Sequence, residues 1–170
     1  MSNAAVAFLD QIDARLAVLD RELAEAQSMH DVAWVLCEFT GRQLELADVV
    51  VYLLDGDGSL SQYAAWGPKR AADHVLESRI RLMPGEGIVG TCAEQGRSLR
   101  IVDASQDPRY IRDDQPNRSE LAVPIIGNGK LIGVLDSEHP DRDFYDADHE
   151  RVVLAIAQRG ASRFSALPVR

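Results

Sequence analysis

Three acidic residues, Glu120, Asp136 and Glu138, stand on two apolar segments, 119–126 and 130–138, which flank Gly127-Asn128-Gly129. Segments of this composition around so short a loop form an antiparallel hairpin, and the loop length decides which side chains meet. A two-residue turn at Asn128-Gly129 pairs Gly127 with Lys130 and sets Glu120 against Ser137. A three-residue loop pairs Ile126 with Lys130 and sets Glu120 against Asp136, and the period of two then brings Glu138 to the same face. Gly129 suits the left-handed third position of the longer loop, which favours the second register. Carboxylates gathered in this way repel one another unless a cation or hydrogen-bond donors meet them. They read either as the end of a pocket for an ammonium or guanidinium group, or as a solvated strand end neutralised by Arg112, Arg118 or Arg142.

Other residue types offer less chemistry. Gly85-Glu86-Gly87-Ile88-Val89-Gly90 has the spacing of a dinucleotide fingerprint, but Met83-Pro84 precedes it where a parallel strand is required, so a tight turn into a short helix is the better reading. Ser98, Ser105, Ser119 and Ser137 lack the context of a nucleophile elbow. His30, His74, His139 and His149 show no ligand spacing, and no metal or cofactor is implied. Cys37 and Cys92 lie far apart with no CxxC, as reduced buried thiols do.

The elements that position the acids follow from patterning. Residues 4–27 contain no Gly or Pro and read as one helix, with Leu9, Ile12, Leu16, Leu19 and Leu23 on an a/d seam that can pack on the domain or on a second copy of itself. Ser28, with Asp31 three residues on, caps a second helix to about residue 44. Residues 48–55 form a strand ending in the turn Asp55-Gly56-Asp57-Gly58, and 60–66, 74–82 and 99–102 form further strands. Residues 103–118 are a long polar loop. The last helix starts at Asp146, with acids in its first turn, and runs to about residue 164. Helices, hairpin-linked strands and a closing helix indicate an α+β domain with an antiparallel sheet, covered on both faces because strands 48–54 and 131–135 are apolar on both sides.

The chain has 170 residues and a net charge of -9, with sixteen Arg and two Lys scattered among 27 acids. Such a surface disfavours nucleic acid and anionic lipid. The apolar runs fall well short of the ~20 residues of a membrane span, and no signal peptide precedes them, as expected for a cytoplasmic protein.

Taken together, MPGEGIVGTCAEQGRSLRIVD (83–103), RSELAVPIIGNGKLIGVLDSE (118–138) and DFYDADHERVVLAIAQ (143–158) resemble a GAF domain over about residues 28–164. The resemblance implies a six-stranded antiparallel sheet with helices on both faces and the N- and C-terminal helices packed together. Residues 1–27 then form a separate dimer or signalling helix and 28–170 the GAF domain. It also implies a small-molecule pocket roofed by 67–78, 85–96 and 103–118, with Tyr52, Trp66, Ile88, Tyr110, Asp113, Glu120, Asp136 and Glu138 as candidate ligand contacts. Homodimerisation through the terminal helices would draw on Leu9, Ile12, Leu16, Leu19 and Leu23.

One enzymatic branch, the free methionine-(R)-sulfoxide reductases, carries a similar Asn117-Arg118-Ser119-Glu120 stretch and a similar Gly133–Glu138 stretch, whose acids hold the substrate's amino group. That branch has its catalytic cysteine where this chain has Asp113, and its other cysteines fall on Val89 and Leu99. Cys92 is three residues away from the nearer of these, and Cys37 lies in an early helix. Bilin and cyclic-nucleotide signatures are absent. The expectation is a sensory module without catalysis, in which a ligand closes loop 103–118 and alters the packing of the terminal helices, passing the signal to an output domain or partner protein. A reductase-like enzyme and a ligand-free dimerisation scaffold are the alternatives.

Overall fold

Strands with apolar side chains on both sides require two covering layers, and the chain supplies helices for each. A computed structural model describes residues 4–77, 79–112 and 115–168. The order is α1 (Ala4–Leu9), α2 (Ile12–Glu25), α3 (Met29–Leu44), β1 (Asp48–Leu54), β2 (Leu60–Trp66), β3 (Arg70–Ala72), β4 (Val75–Leu76), β5 (Arg81–Leu82), α4 (Gly87–Gln95), β6 (Leu99–Ile101), a 3-10 turn (Ala104–Gln106), β7 (Ser119–Gly127), β8 (Lys130–His139) and α5 (Ala147–Ala166). The main sheet runs β5-β2-β1-β8-β7-β6, every pair antiparallel. β3 and β4 form a separate small hairpin between β2 and β5. The α+β class and the six-stranded sheet with helices on both faces stand as the sequence implied.

Each face has its own core. Val49, Val51, Leu53, Leu121, Val123 and Leu135 pack beneath α3 and α5. Val50, Tyr52, Ala122 and Val134 face the other way, beneath Ile88, Val89 and Cys92 of α4. Ser28 Oγ accepts from the Asp31 N–H at the start of α3. Asp146 caps α5 by accepting from the N–H groups of Asp148 and His149, and buried His149 returns the bond to the Asp146 backbone. Pro124 is tolerated inside β7 because β6 pairs only with Glu120–Ala122, leaving the rest of that side as an edge.

Several expectations need correction. Residues 4–27 are two helices, broken at Asp10-Gln11, rather than one. The seam is consumed within the chain: Leu16, Leu19 and Leu23 are buried in the core shared with α3 and α5, with Leu9 and Ile12 packed at its margin. Finally, the strand read over 74–82 is two short pieces, β4 and β5, belonging to different sheets.

The hairpin register is the correction that matters for the site. Asn128 and Gly129 both have positive φ and form a two-residue turn, with Gly127 opposite Lys130. A bulge then intervenes, since Ile126 faces Leu131 but Ile125 faces Gly133, leaving Ile132 unpaired. Glu120 therefore faces Glu138 across the strands and Ala122 faces Asp136, in neither of the anticipated registers. The extra residue offsets the shorter turn, so the parity is that of a three-residue loop and all three acids still share one face.

Leu19 has no exposed surface. Its replacement by Ala should cost about 2–5 kcal/mol in urea unfolding, with the oligomeric state unchanged. A loss below about 1 kcal/mol accompanied by dimer dissociation would instead make the seam an interface between chains. Gly133 leaves no room for a side chain, because an added Cβ would lie 2.0 Å from the Tyr52 carbonyl oxygen. Gly133→Ala should therefore disrupt β1–β8 pairing, visible as loss of amide protection in both strands.

Candidate functional site

Burying a carboxylate is unfavourable unless a cation or hydrogen-bond donors replace the water it loses. Asp48, Glu120, Asp136 and Glu138 are all buried. Asp48 on β1 lies opposite Glu138 on β8, and Val50 lies opposite Asp136, so the strand pairing gathers the four at one end of the α4-side face. The cation that meets them is Lys69, which follows the Gly67-Pro68 turn after β2. Its Nζ donates to Asp48 Oδ2 at 2.7 Å and to Glu138 Oε2 at 3.0 Å. The three side chains are only 14%, 4% and 7% exposed, respectively.

Glu120 and Asp136 lie further in. Their mutual hydrogen bond holds the Glu120 carboxyl in its protonated form and favours the charged form of Asp136. For Glu120, burial is the largest cause of a pKa well above the usual carboxylate range, followed by the charges of Asp136 and Glu138, against which Lys69 pulls only weakly. Asp136 is pushed up by burial and by the Glu138 charge, partly opposed by Lys69 and by the Glu120 bond. Burial and mutual repulsion thus push both carboxyls of the inner pair toward the protonated form, Glu120 with the further help of their hydrogen bond. Asp136 Oδ1 is sealed from solvent and has no hydrogen-bond partner among the described residues.

A cavity of about 30 Å³ lies over this pair, room for about one water molecule. It is walled by Tyr52 from β1, Lys69, Ile80 and Leu82, by Gly87, Ile88 and Val89 of α4, and by Ile111. Gln62 Nε2 donates to the Tyr52 hydroxyl at 3.0 Å and fixes that ring, and burial raises the phenol's pKa.

The structure therefore brings together Tyr52, Ile88, Glu120, Asp136 and Glu138 from the sequence-derived set. Tyr110 packs at the margin of the same core. Asp113 lies outside the described residues. Trp66 belongs elsewhere: it faces α3, where Gly41 leaves room for its ring, and its Nε1–H donates to the Leu46 carbonyl at 2.9 Å. Sequence reasoning missed Lys69 and looked to arginines for the countercharge, yet Arg118 and Arg142 both pair with Asp103. The available signal was that Lys69 is one of only two lysines and directly follows a Gly-Pro turn.

The thiols offer no exposed nucleophile. Cys92 is fully buried under α4, where burial and then the charges of Asp136 and Glu120 raise its pKa. Cys37 lies in the opposite core and donates to the Val49 carbonyl at 3.1 Å. Among the described residues one group could approach a metal ion, Glu38 with Asp73 and His74, but the Arg70 guanidinium already bonds to both carboxylates.

The match to known proteins is broad. A family model described as GAF domain matches residues 26–163. YtsP of Bacillus subtilis is 32% identical over 83 residues, 49% of this chain and 51% of that protein. The free methionine-R-sulfoxide reductase of Saccharomyces cerevisiae is 36% identical over 63 residues, 36% of this chain and 35% of that protein. The matched stretch thus spans about half of the first relative and about a third of the second. In fold, the GAF domain of the Acinetobacter phosphoenolpyruvate-protein phosphotransferase superposes with a TM-score of 0.79 at 20% identity, covering 97% of this chain and 95% of that one.

The raised acids give a signed test. A carboxyl whose folded pKa lies above its unfolded value stabilises the fold fully below about pH 4 and loses that contribution as pH climbs through the folded value. Glu120→Gln keeps the hydrogen-bonding shape without the ionisation. It should be more stable than the parent by about 1–3 kcal/mol at pH 8, with the gap closing toward pH 4 in urea unfolding. A gap that widens as pH falls would mean that Glu120 is ionised and well paired in the fold.

Proposed function

The chain belongs to the GAF domain family, and on that premise we propose that it is a non-catalytic sensory or regulatory domain whose pocket takes a small molecule carrying an ammonium or guanidinium group. The burial of Asp136 beside Glu120 and Glu138 in the lining of the cavity carries this reading, and its Oδ1 has no hydrogen-bond partner among the described residues. An acid held out of solvent beside a second carboxyl fits an N–H donor of positive charge. The cation would draw a proton off the Glu120–Asp136 pair, so binding should release protons at neutral pH. Because β1 and β8 carry the acids on one face and the α3–α5 core on the other, a shift of the central strands is felt by the helices, α1 and α2 included.

Catalysis by thiol chemistry is not part of this reading. A sulfoxide reductase needs a thiolate at the substrate, and both cysteines here are buried with raised pKa values. Incubation with free methionine sulfoxide and dithiothreitol should give no turnover above the protein-free rate. Turnover abolished by Cys92→Ser would replace the sensor with an enzyme.

A thermal-shift screen of small amines and guanidines tests binding. A ligand present at 100 times its Kd should add about 2.7 kcal/mol, equivalent to roughly 5–11 °C in a domain of this size. Asp136→Asn should weaken that ligand at least ~10-fold, the scale of one charge-assisted hydrogen bond lost. Hits that bind Asp136→Asn as well as the parent would contradict the proposal.

A further inference from the structure

The cavity holds only about 30 Å³, whereas pockets for small ligands usually enclose several hundred. A wall must therefore move to admit one. Most of the walls are poor candidates: Tyr52, Ile88, Val89 and Leu82 are buried in the sheet or under α4. Lys69 is different. It begins the strip 67–77, whose hairpin β3–β4 is small and largely exposed. The strip begins at Gly67, where φ is +97° and an added Cβ would lie 2.0 Å from the Ala47 carbonyl oxygen, so only glycine fits this turn.

The strip grips both layers of the molecule. Lys69 enters the α4-side face and bonds Asp48 and Glu138. The next residue, Arg70, points to the other layer, where Nη1 donates to Glu38 Oε1 of α3 at 2.9 Å and the guanidinium sits 5.5 Å from the centre of the Trp34 ring. His74, at the hairpin tip with φ of +52°, stacks on Trp34 with ring centres 4.7 Å apart. Trp34 in turn donates from its indole N–H to His30 Nε2 at 2.9 Å. The strip thus joins the acid end of the cavity to the first half of α3.

We propose that strip 67–77 is a strap closed by Lys69, and that a cationic ligand opens it by replacing the Lys69 ammonium among the acids, loosening Arg70 and His74 from Glu38 and Trp34. Charge enforces the exchange. Withdrawing Lys69 takes an ammonium away from 2.7 Å of Asp48 Oδ2 and 3.0 Å of Glu138 Oε2, both buried, a cost that a cation taking its place removes. A neutral molecule of the same size has no such effect, and the ligand and the strap–α3 contacts oppose each other in both directions. The proposal rests on the reading of the pocket as a site for a cationic ligand.

Hydrogen-exchange mass spectrometry and the Trp34 indole N–H resonance provide the readouts, with methylguanidinium chloride as the probe and sodium chloride at equal ionic strength as control. In Lys69→Met, amides of 69–77 should exchange at least ~10-fold faster, and the Trp34 resonance should move as His74 leaves its ring face. Exposed Lys130→Met should behave as the parent. Lys69→Met/Glu138→Gln removes the acid that Lys69 leaves behind, and should show the same local opening if the single variant folds poorly. Methylguanidinium should reproduce both changes in the parent chain, and sodium chloride neither. A strap as protected in the lysine variants as in the parent would overturn the proposal. So would methylguanidinium shifting pocket resonances such as those of Ile88 while strap and Trp34 signals stay still. An opening seen in the variants, with methylguanidinium shifting nothing, would overturn the exchange and also the cationic-ligand reading.

Discussion

Four buried carboxyls and one ammonium occupy the same end of the sheet, and much of this domain's construction follows from accommodating them. Lys69 donates directly to one oxygen of each of the outer two, Asp48 and Glu138. The inner two, Glu120 and Asp136, have no cation in contact with them among the described residues, and burial and mutual charge push both toward the protonated form. Buried charge of this kind lowers stability relative to an apolar core, so a function for the cluster explains its presence better than stability does.

The fold holds the acids in place through strand parity. A two-residue turn would alone have put Glu120 on the face opposite Asp136 and Glu138. The bulge at Ile132 restores the common face, and β1 adds Asp48 across from Glu138. The same sheet separates the two cores, so the acids sit on one side and the α3–α5 core on the other. Lys69 and Arg70, adjacent in sequence, reach opposite layers from a turn over 67–70 that the Arg70 N–H closes by donating to the Gly67 carbonyl.

What was legible in the sequence was whatever depends on local pattern. The Ser28 and Asp146 caps, the hairpin flanking Asn128-Gly129 and the glycine turn into α4 all come from short-range rules, and the order of elements fixed the α+β class. The acids were found because carboxylates on apolar strands are conspicuous. The correct face was reached through an incorrect register: the turn was taken one residue too long and the bulge was missed, two errors that cancel in parity. Lys69 was invisible because its role depends on a strip folding back over the sheet, a contact between residues 21 and 69 positions apart. Trp66 was misplaced because an aromatic on a strand does not reveal which core it enters. The leucine seam could not say whether its partner was α5 of the same chain or a second copy.

Relatives of this chain by sequence include a free methionine-R-sulfoxide reductase as well as YtsP, each matched over half of this chain or less. The account of this molecule therefore stands on the state of its inner carboxyl pair. The direct measurement is the side-chain carboxyl signal of selectively labelled Glu, followed by carbon NMR from pH 4 to pH 9 with Glu120→Gln for assignment. One glutamate carboxyl should remain protonated at neutral pH, well above the ordinary carboxylate range, and that signal should vanish in Glu120→Gln. If every glutamate is instead ionised by about pH 5, the ordinary behaviour of a solvated carboxyl, the acids are a wet strand end and the pocket account fails.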